Sequence, residues 1–352
     1  MSSELNEYIA WTKFVGLVSL KYVSPVIHSI GLLLNSISFV VLMRKSLRQT
    51  TFSFNNMFIF GAETVSLIAG AIGFLLPYYG FSLELYATPI CALSSFVRQL
   101  ATGTAIWIQI WMLLESYLSI RFIRRFQMIH TRRASLTVIL LILAFVSVLN
   151  ATNLTKSVRI TATRNDNATN QTLIVSAECN TDYEINFAQS LVDILIGRFI
   201  LPTIIMMTLN FLIIRKLFET QAKSRRTSRA DKANNNLPSR KQLSFAFSLL
   251  VGNLFYLTTH LPVLISVFIL NLFQYAPSLG ATPYRMSQIV MVLNNLRNSV
   301  AIDFSFLFFV YLFTNKLFDR SFMCLIGRAT ANDESTRINA SKSNPKIESR
   351  TN

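Results

Sequence analysis

Long, almost uninterrupted apolar stretches alternate with shorter polar segments along the chain. A helix needs about 20 mostly apolar residues to cross a bilayer, because lipid cannot satisfy exposed backbone groups. Seven stretches approach or exceed that length, and they predict an all-α membrane protein, a bundle of seven transmembrane helices. The fourth is the shortest and can extend by a turn at either end. The predicted spans are residues 22–43, 52–76, 91–118, 136–149, 191–214, 243–270 and 286–313.

A different periodicity occurs between the fourth and fifth spans, where polar and β-branched residues alternate. The alternating runs are 157–161 and 172–176, and an Asn- and Asp-rich segment separates them. This pattern predicts an outer-loop β-hairpin. The alternative is a disordered loop that carries sugar, since the segment holds N-x-Ser/Thr acceptor sequences. Asn167 and Asn170 are the better glycosylation candidates, because the other two acceptors lie close to the membrane.

Composition supports a membrane location and accounts for the net charge. Of the 352 residues, 52% are hydrophobic and only 14% are charged, whereas soluble domains usually carry about 25% charged residues. The chain has a net charge of +16, and most of its 33 Lys and Arg residues fall in the loops after the odd-numbered spans and in the tail. The positive-inside rule therefore places the N-terminus outside the plasma membrane. Membrane lipid of the inner leaflet, and no nucleic acid, is the partner that this charge predicts.

The predicted spans divide the chain into three parts. Residues 1–21 are an extracellular N-terminus, residues 22–327 are the membrane domain, and residues 328–352 are a disordered cytoplasmic tail. The first part is no persuasive signal peptide, because Glu4 and Glu7 occupy the place of the basic region. We therefore expect the first span to act as an uncleaved anchor.

The chain has three cysteines, too few for a disulfide scaffold or a Cys-rich zinc site. Cys91 and Cys179 both fall on the predicted outer side, where an oxidising compartment allows a disulfide. That bridge would tie the hairpin over the mouth of the bundle. Cys324 falls just past the last span on the cytosolic side, and it is either palmitoylated or an unmodified thiol.

Short motifs in the first and third spans carry a family resemblance. Asn35 is similar to the Asn of a first-span Gly-Asn motif, and Glu115-Ser116-Tyr117 is similar to a third-span Asp-Arg-Tyr motif. With seven spans and the cysteine link to the second outer loop, the chain resembles the rhodopsin-like (class A) G-protein-coupled receptors, and the peptide receptors among them. The resemblance covers about residues 22–327. It implies roles in switching or G-protein contact for Asn35, Glu115, Ser116, Tyr117 and Arg121.

The later spans add further motif positions and some departures. Pro262 stands at the sixth-span proline bend, and Tyr311 resembles the Tyr of the seventh-span Asn-Pro-x-x-Tyr motif. The segment 314–322 resembles the short amphipathic eighth helix of the family. Ser116 replaces the motif Arg, and His260 stands in place of the usual sixth-span Trp. The resemblance thus implies a divergent member of the family.

Arginines in the outer half or near the middle of the spans are candidates for ligand binding, since charge in a membrane is costly. Arg98 matches the third-span position at which amine receptors of this family carry an Asp. An Arg there favours an anionic group, because guanidinium binds carboxylate or phosphate in a bidentate manner. The alternative is internal pairing of the arginines. The predicted ligand-binding residues are Arg98, Arg198, His260 and Arg297, where His260 is either a polar pocket floor or a hydrogen-bonded core residue.

Two acidic residues fall deeper in the predicted spans. Glu63 and Asp303 occupy the region where the family builds a polar, sodium-linked network with Asn35. The resemblance implies that these acids either hold a cation or hydrogen-bond Asn and Ser neighbours, and Asp303 is a candidate switch residue. The sequence predicts no cofactor and no dedicated metal site.

Other classes of protein receive less support from the sequence. It contains no Gly-rich phosphate loop, His-Glu-x-x-His or Gly-x-Ser-x-Gly motif, so we expect no enzymatic activity. A membrane transporter or channel would account for charges in the spans, but it should show pseudo-symmetric halves. We therefore expect a cell-surface receptor that binds a neuropeptide or other acidic ligand and signals to a heterotrimeric G protein. A divergent chemosensory receptor for small molecules or lipids is the alternative.

Overall fold

The computed structural model describes a large part of the predicted membrane domain. Within some helices and in the hairpin, the backbone is described and individual side chains are not. The structure therefore describes only some of the arginines, acidic residues and glycosylation acceptor sequences that were predicted above. The described residues are 10, 14, 18–48, 50–72, 76–79, 88–122, 131–155, 157–166, 171–180, 192–197, 200–226, 240–275 and 306–325.

Helices account for nearly all of the described residues. In the helix numbering given at the end of this paragraph, one π-helical turn precedes α1 and another precedes α6. Short 3-10 turns follow α3 and α5. A final pair of helices is continuous except at Asn315. In chain order the helices are α1 (Ser24–Leu42), α2 (Lys45–Arg48), α3 (Thr51–Gly70), α4 (Thr88–Arg121), α5 (Arg132–Leu149), α6 (Ile200–Arg226), α7 (Arg240–Tyr275), α8 (306–314) and α9 (Lys316–Leu325).

Three stretches among the described residues are long and apolar enough to cross a membrane, namely Lys21–Leu42, Arg132–Leu149 and Leu195–Lys216. They contain α1, α5 and the first part of α6. The fourth predicted span is longer than its apolar core, since α5 begins at Arg132. Helices α3 and α4, in the second and third predicted spans, are less apolar because they carry polar side chains. The described residues thus form helices, some of which have the length and composition of membrane spans. The complete seven-helix bundle stays a prediction.

Helix α4 has a central position in the described bundle. It contacts α3, α5, α6 and α7, and also both strands of the hairpin. Its side chains Ile108 and Met112 are buried in one core with Ile59 and Phe60 of α3. Lipid is as apolar as these side chains, so burial alone gives little driving force between helices in a membrane. Close packing and hydrogen bonds between helices must therefore hold the arrangement.

Gly103 allows α4 to pack closely against α5. A Cβ atom at Gly103 would lie 2.8 Å from Cγ1 of Val146. Val146 is buried, and its β-branched side chain has one strongly preferred rotamer in a helix. At Gly61 in α3, by contrast, an added Cβ atom meets nothing within 4 Å. Only Gly103 lies at a helix contact that leaves no room for a Cβ atom. Gly61 is therefore a matched control for it.

We expect Gly103→Ala to destabilise the protein by about 1–3 kcal/mol relative to Gly61→Ala, because only the first substitution overpacks a helix interface. Both replace a helical glycine, so they gain helix propensity equally. The measurement is the thermal unfolding midpoint of the detergent-solubilised chain. Val146→Ala in the Gly103→Ala background should recover part of the loss. Equal midpoints for the two glycine variants would contradict the close α4–α5 contact.

The hairpin predicted between the fourth and fifth spans is present. Strands β1 (Ser157–Asp166) and β2 (Gln171–Asn180) pair in antiparallel fashion, from Asp166 opposite Gln171 to Ser157 opposite Asn180. The register shifts between Ile160 and Thr163. β1 continues past the end of the alternating run 157–161, and β2 extends beyond the run 172–176 at both ends, because backbone pairing continues there. The hairpin contacts α4, so the loop lies against the predicted third span.

Local sequence determines where several helices begin. The Oγ1 atom of Thr50 accepts a hydrogen bond from the Ser53 amide at 3.1 Å at the start of α3. Thr131 caps α5 in the same way, and Oδ1 of Asn315 accepts from the Phe318 amide at 3.3 Å at the start of α9. Such side chains satisfy backbone N–H groups that have no partner within the helix.

Helix α9 is amphipathic, in agreement with the segment predicted to resemble an eighth helix. The Phe318 ring is fully buried and lies 5.9 Å from the ring of Tyr311. Arg320 on the same helix is exposed. Because α9 also contacts α1 and α2, it packs across the end of the bundle at which α1 ends.

Candidate functional site

A small polar cavity lies in the interior of the bundle. Its volume is about 10 Å³, which is about enough for one water molecule. Its apolar lining comes from Leu249, Gly252 and Leu307. Four helices, α3, α4, α7 and α8, contribute its polar side chains, which are Glu63, Gln109, Asn253, Tyr256 and Tyr311.

The polar atoms around this cavity make it a place for a bound polar species. Glu63 is 1% exposed and Asn253 is 3% exposed. Oε1 of Gln109 and Oδ1 of Asn253 are buried and have no hydrogen-bond partner among the described residues. Oxygen atoms of this kind accept hydrogen bonds from water or coordinate a small hard cation. Asp303, the second acid predicted for this region, lies outside the described residues.

Asn35, predicted to join the same network, is 1% exposed on α1. Neither polar atom of its side-chain amide has a hydrogen-bond partner in the part of the chain that the structure describes. The predicted network with Glu63 is therefore not formed through a direct bond to Asn35. Within the described ranges, no three His, Cys, Asp or Glu side chains form a metal-binding group.

Tyr311 joins α8 to α3. Its hydroxyl donates to Oδ1 of Asn56 at 2.5 Å, and its side chain is 1% exposed. The ring lies between Phe52 and Phe60 of α3, with centroid distances of 5.5 and 6.0 Å. Asn56 also donates its amide hydrogen to the Phe52 carbonyl at 2.8 Å, which orients its oxygen toward Tyr311.

Glu115 joins α4 to the same part of α3. Its Oε2 accepts a hydrogen bond from Nδ2 of Asn55 at 3.1 Å, and Glu115 is 5% exposed. Asn55 is completely buried. A neutral amide of α3 is therefore a buried hydrogen-bond partner of Glu115. We call the Asn55–Glu115 contact the α3–α4 clasp.

The remaining residues of the third-span motif lie at the C-terminal end of α4. The carbonyl of Ser116 accepts from the Ser119 hydroxyl at 2.9 Å. Arg121 donates from Nη1 to the hydroxyl of Tyr117, and its Cζ lies 5.2 Å from the centre of the Phe122 ring. Arg121 is exposed. The cation at this end of α4 thus contacts Tyr117 on its own helix and Phe122, the residue that follows the helix.

A further hydrogen bond joins α8 to α7. Oγ1 of Thr314 and Oγ of Ser248 lie 2.7 Å apart and share a hydrogen bond, and Ser248 is completely buried. Together with the bonds of Tyr311 and Glu115, it links α3, α4, α7 and α8 near the same end of the bundle. That end is the predicted cytosolic one, because α3 begins there and α4 ends there.

The ion pairs at the end of α6 are exposed. Glu219 accepts from Lys216 at 3.0 Å and from Arg215 at 3.2 Å. The hydrogen bond from Lys216 lowers the pKa of Glu219 below its ordinary value. This pairing therefore stabilises the helix above the ordinary pKa of Glu, and its contribution is lost as the pH falls through the lowered value. Solvent and salt screen such a pair, so its effect is small.

The predicted ligand-binding residues are described only in part. Arg98 is half-buried on α4, whereas Arg198 and Arg297 lie outside the described residues. His260 is 5% exposed on α7. Its Nδ1 lies 3.1 Å from the Tyr256 carbonyl and 3.1 Å from Oγ1 of Thr259, and its ring stacks on Tyr256 at 3.9 Å. The hydrogen-bonded contacts involve Nδ1 and the ring face, and both roles predicted for His260 stay predictions. Pro262, two residues on, lies inside α7 with an exposed side chain.

The predicted modification sites are also covered in part. Cys91 is fully buried at the start of α4, and Cys324 on α9 carries a free thiol. The backbone of Cys179 pairs with Val158 in the hairpin, and its side chain lies outside the described ones. The Cys91–Cys179 bridge therefore stays a prediction. Asn167 and Asn170 lie outside the described residues.

The predicted site residues do not include Asn55, Asn56, Gln109 and Asn253, because the prediction considered ionisable side chains and not neutral amides. The signal was available, since polar side chains in apolar spans are commonly functional or hydrogen-bonded between helices. The sequence matches no protein-family model, and no curated protein is significantly similar to it. Function must therefore be argued from the site itself.

Proposed function

We propose that this chain is a divergent rhodopsin-like G-protein-coupled receptor of the plasma membrane. It binds an extracellular ligand and signals to a heterotrimeric G protein. One observation carries the proposal. The two motif residues assigned to switching, Glu115 and Tyr311, are bonded to adjacent residues of α3, Asn55 and Asn56.

In this arrangement, α3 is hydrogen-bonded to both of the proposed switch residues. Glu115 lies near the end of α4 and Tyr311 near the end of α8, and both are buried. A displacement of α4 or α8 relative to α3 would break one of these hydrogen bonds. The cost of leaving a buried polar group unpaired, about 1–3 kcal/mol, would keep the resting arrangement populated until a ligand favours the other.

The ligand we propose is a neuropeptide or another molecule with an acidic group. Arg98 on α4 supports this proposal, because it is a half-buried cationic residue near the predicted outer end of the span. The hairpin contacts α4, so the second outer loop lies beside the helix that carries Arg98. In the proposed topology the N-terminus is outside, the Cys91–Cys179 bridge fixes this loop, and Asn167 and Asn170 carry sugar.

Expression of the native chain beside Ser116→Arg tests the proposal. Cells would carry G-protein dissociation sensors for every Gα class, and they would be exposed to a neuropeptide library. We expect a peptide-driven response from the native chain. Ser116→Arg should give a larger response, because it restores the cation that the third-span motif offers to the G protein.

Surface expression of both forms serves as the control in that experiment. Silence of both forms at normal surface expression would overturn the receptor proposal. An ion-flux measurement on the same cells would then distinguish a transporter or channel from a protein without either activity.

A further inference from the structure

Two glycosylation acceptor sequences lie directly at the end of α5. They are Asn150-Ala-Thr and Asn153-Leu-Thr, and the sequence pattern alone makes them acceptors of the same kind as Asn167 and Asn170. The structure describes both asparagines together with their side chains. Whether they can carry sugar in the folded protein is therefore decided by their burial and by their hydrogen bonds.

Asn150 and Asn153 are the buried residues of an otherwise exposed segment. Each is 2% exposed, whereas the other residues of the 3-10 turn Ala151–Thr155 are exposed. An N-linked sugar is bulky and belongs at the surface of a protein. It is attached to the side-chain nitrogen of Asn, so an acceptor must present that nitrogen to solvent. In the folded chain these two side chains are buried instead.

The side-chain nitrogens of both residues are hydrogen-bond donors within the fold. Nδ2 of Asn150 donates to the carbonyl of Val146 at 2.9 Å, and Nδ2 of Asn153 donates to the carbonyl of Asn150 at 3.2 Å. Nδ2 of Asn153 also lies 3.4 Å from Oδ1 of Asn150. The backbone amides of the two residues bond to the same two carbonyls, at 3.1 and 2.9 Å. We call Asn150 and Asn153 the amide pair.

The amide pair lies where the end of α5 packs on α4. Val146, whose carbonyl accepts from Asn150, is the residue whose side chain packs against Gly103 of α4. The 3-10 turn that contains Asn153 contacts α4 as well. Strand β1 begins at Ser157, two residues after that turn. The amide pair therefore fixes the point from which the hairpin leaves the helices.

We propose that Asn150 and Asn153 carry no sugar in the folded protein, and that their buried amides instead hold the root of the hairpin on α4. A sugar on either nitrogen would put a bulky polar group into a buried place and disturb hydrogen bonds that the fold uses. The inference does not depend on the proposed receptor function, because it concerns only the end of α5 and neither experiment below measures signalling.

The first experiment compares two variants that abolish the same acceptor sequence. Asn153→Asp keeps the side-chain shape but replaces the donor nitrogen by oxygen. It should lower the thermal unfolding midpoint of the detergent-solubilised chain by about 2–6 °C, as loss of a buried hydrogen bond predicts. Thr155→Val changes an exposed residue and should shift the midpoint by less than about 1 °C. Equal midpoints would overturn the proposal, since a sugar would be lost from both variants alike.

The second experiment maps the sugar on the native chain taken from the surface of mammalian cells. N-glycosidase F in water labelled with heavy oxygen converts each sugar-bearing Asn into a labelled Asp, which mass spectrometry locates. We expect label at Asn167 or Asn170 and none at Asn150 and Asn153. Label at either member of the amide pair would overturn the proposal. Absence of label from all four positions would contradict the proposed outer position of the loop, and the midpoint comparison would then decide on the amide pair.

Discussion

If the chain is the receptor proposed above, ligand-free signalling should rise when Asn55 is replaced by Ala. Asn55 donates to Glu115 across the α3–α4 clasp at 3.1 Å, and both side chains are buried. Leaving a buried polar group without its hydrogen-bond partner costs about 1–3 kcal/mol. Loss of this hydrogen bond should therefore shift the balance between resting and signalling arrangements by roughly 10- to 100-fold. The measurement is basal G-protein dissociation, normalised to surface expression.

Two further variants separate the clasp from a general loss of stability. Glu115→Gln keeps the side-chain shape and an acceptor oxygen for Asn55, so it should raise basal signalling less than Asn55→Ala does. Ser119→Ala removes a hydroxyl at the same end of α4 that bonds to the carbonyl of Ser116, and it should leave basal signalling unchanged. If Asn55→Ala lowers the unfolding midpoint while basal signalling stays at the native level, the clasp serves structure alone.

The features that the sequence predicted well depend on neighbours along the chain. The apolar runs of α1 and α5 became helices of membrane-crossing length, and the alternating runs became the hairpin. The helix caps at Thr50 and Thr131 were not among the predictions, but they are equally local, because a side-chain oxygen reaches an amide three residues later. Each of these signals is contained within one turn or one strand pair, so a single sequence is enough to find it.

The polar network could not be predicted in this way. Asn55 and Glu115 are 60 residues apart, and Asn56 and Tyr311 are 255 residues apart. Spacing along one helix shows which side chains share a face, but not which other helix that face meets. Ser116 pointed to a missing cation beside Glu115, and nothing in the sequence indicated that an amide on α3 would bond to Glu115.

A double-mutant cycle between Tyr311 and Asn56 should show strong coupling. Tyr311→Phe removes one hydroxyl and leaves a buried Asn56 oxygen without its donor, which costs about 1–3 kcal/mol. Asn56→Ala leaves the Tyr311 hydroxyl unpaired at a similar cost. Because one bond accounts for both losses, the double variant should lose clearly less than the sum of the two single variants. Thermal unfolding midpoints of the four proteins in detergent provide the cycle.

The geometry makes the cycle specific to the hydroxyl. Phe at position 311 keeps the ring contacts with Phe52 and Phe60 at 5.5 and 6.0 Å, so packing should change little. Tyr117→Phe is the control, since its hydroxyl bonds to the exposed Arg121, and we expect it to cost less than about 0.5 kcal/mol. Strictly additive losses would mean that Tyr311 and Asn56 act independently. Helix α3 would then hold only one of the two motif residues, and the observation on which the receptor proposal rests would fail.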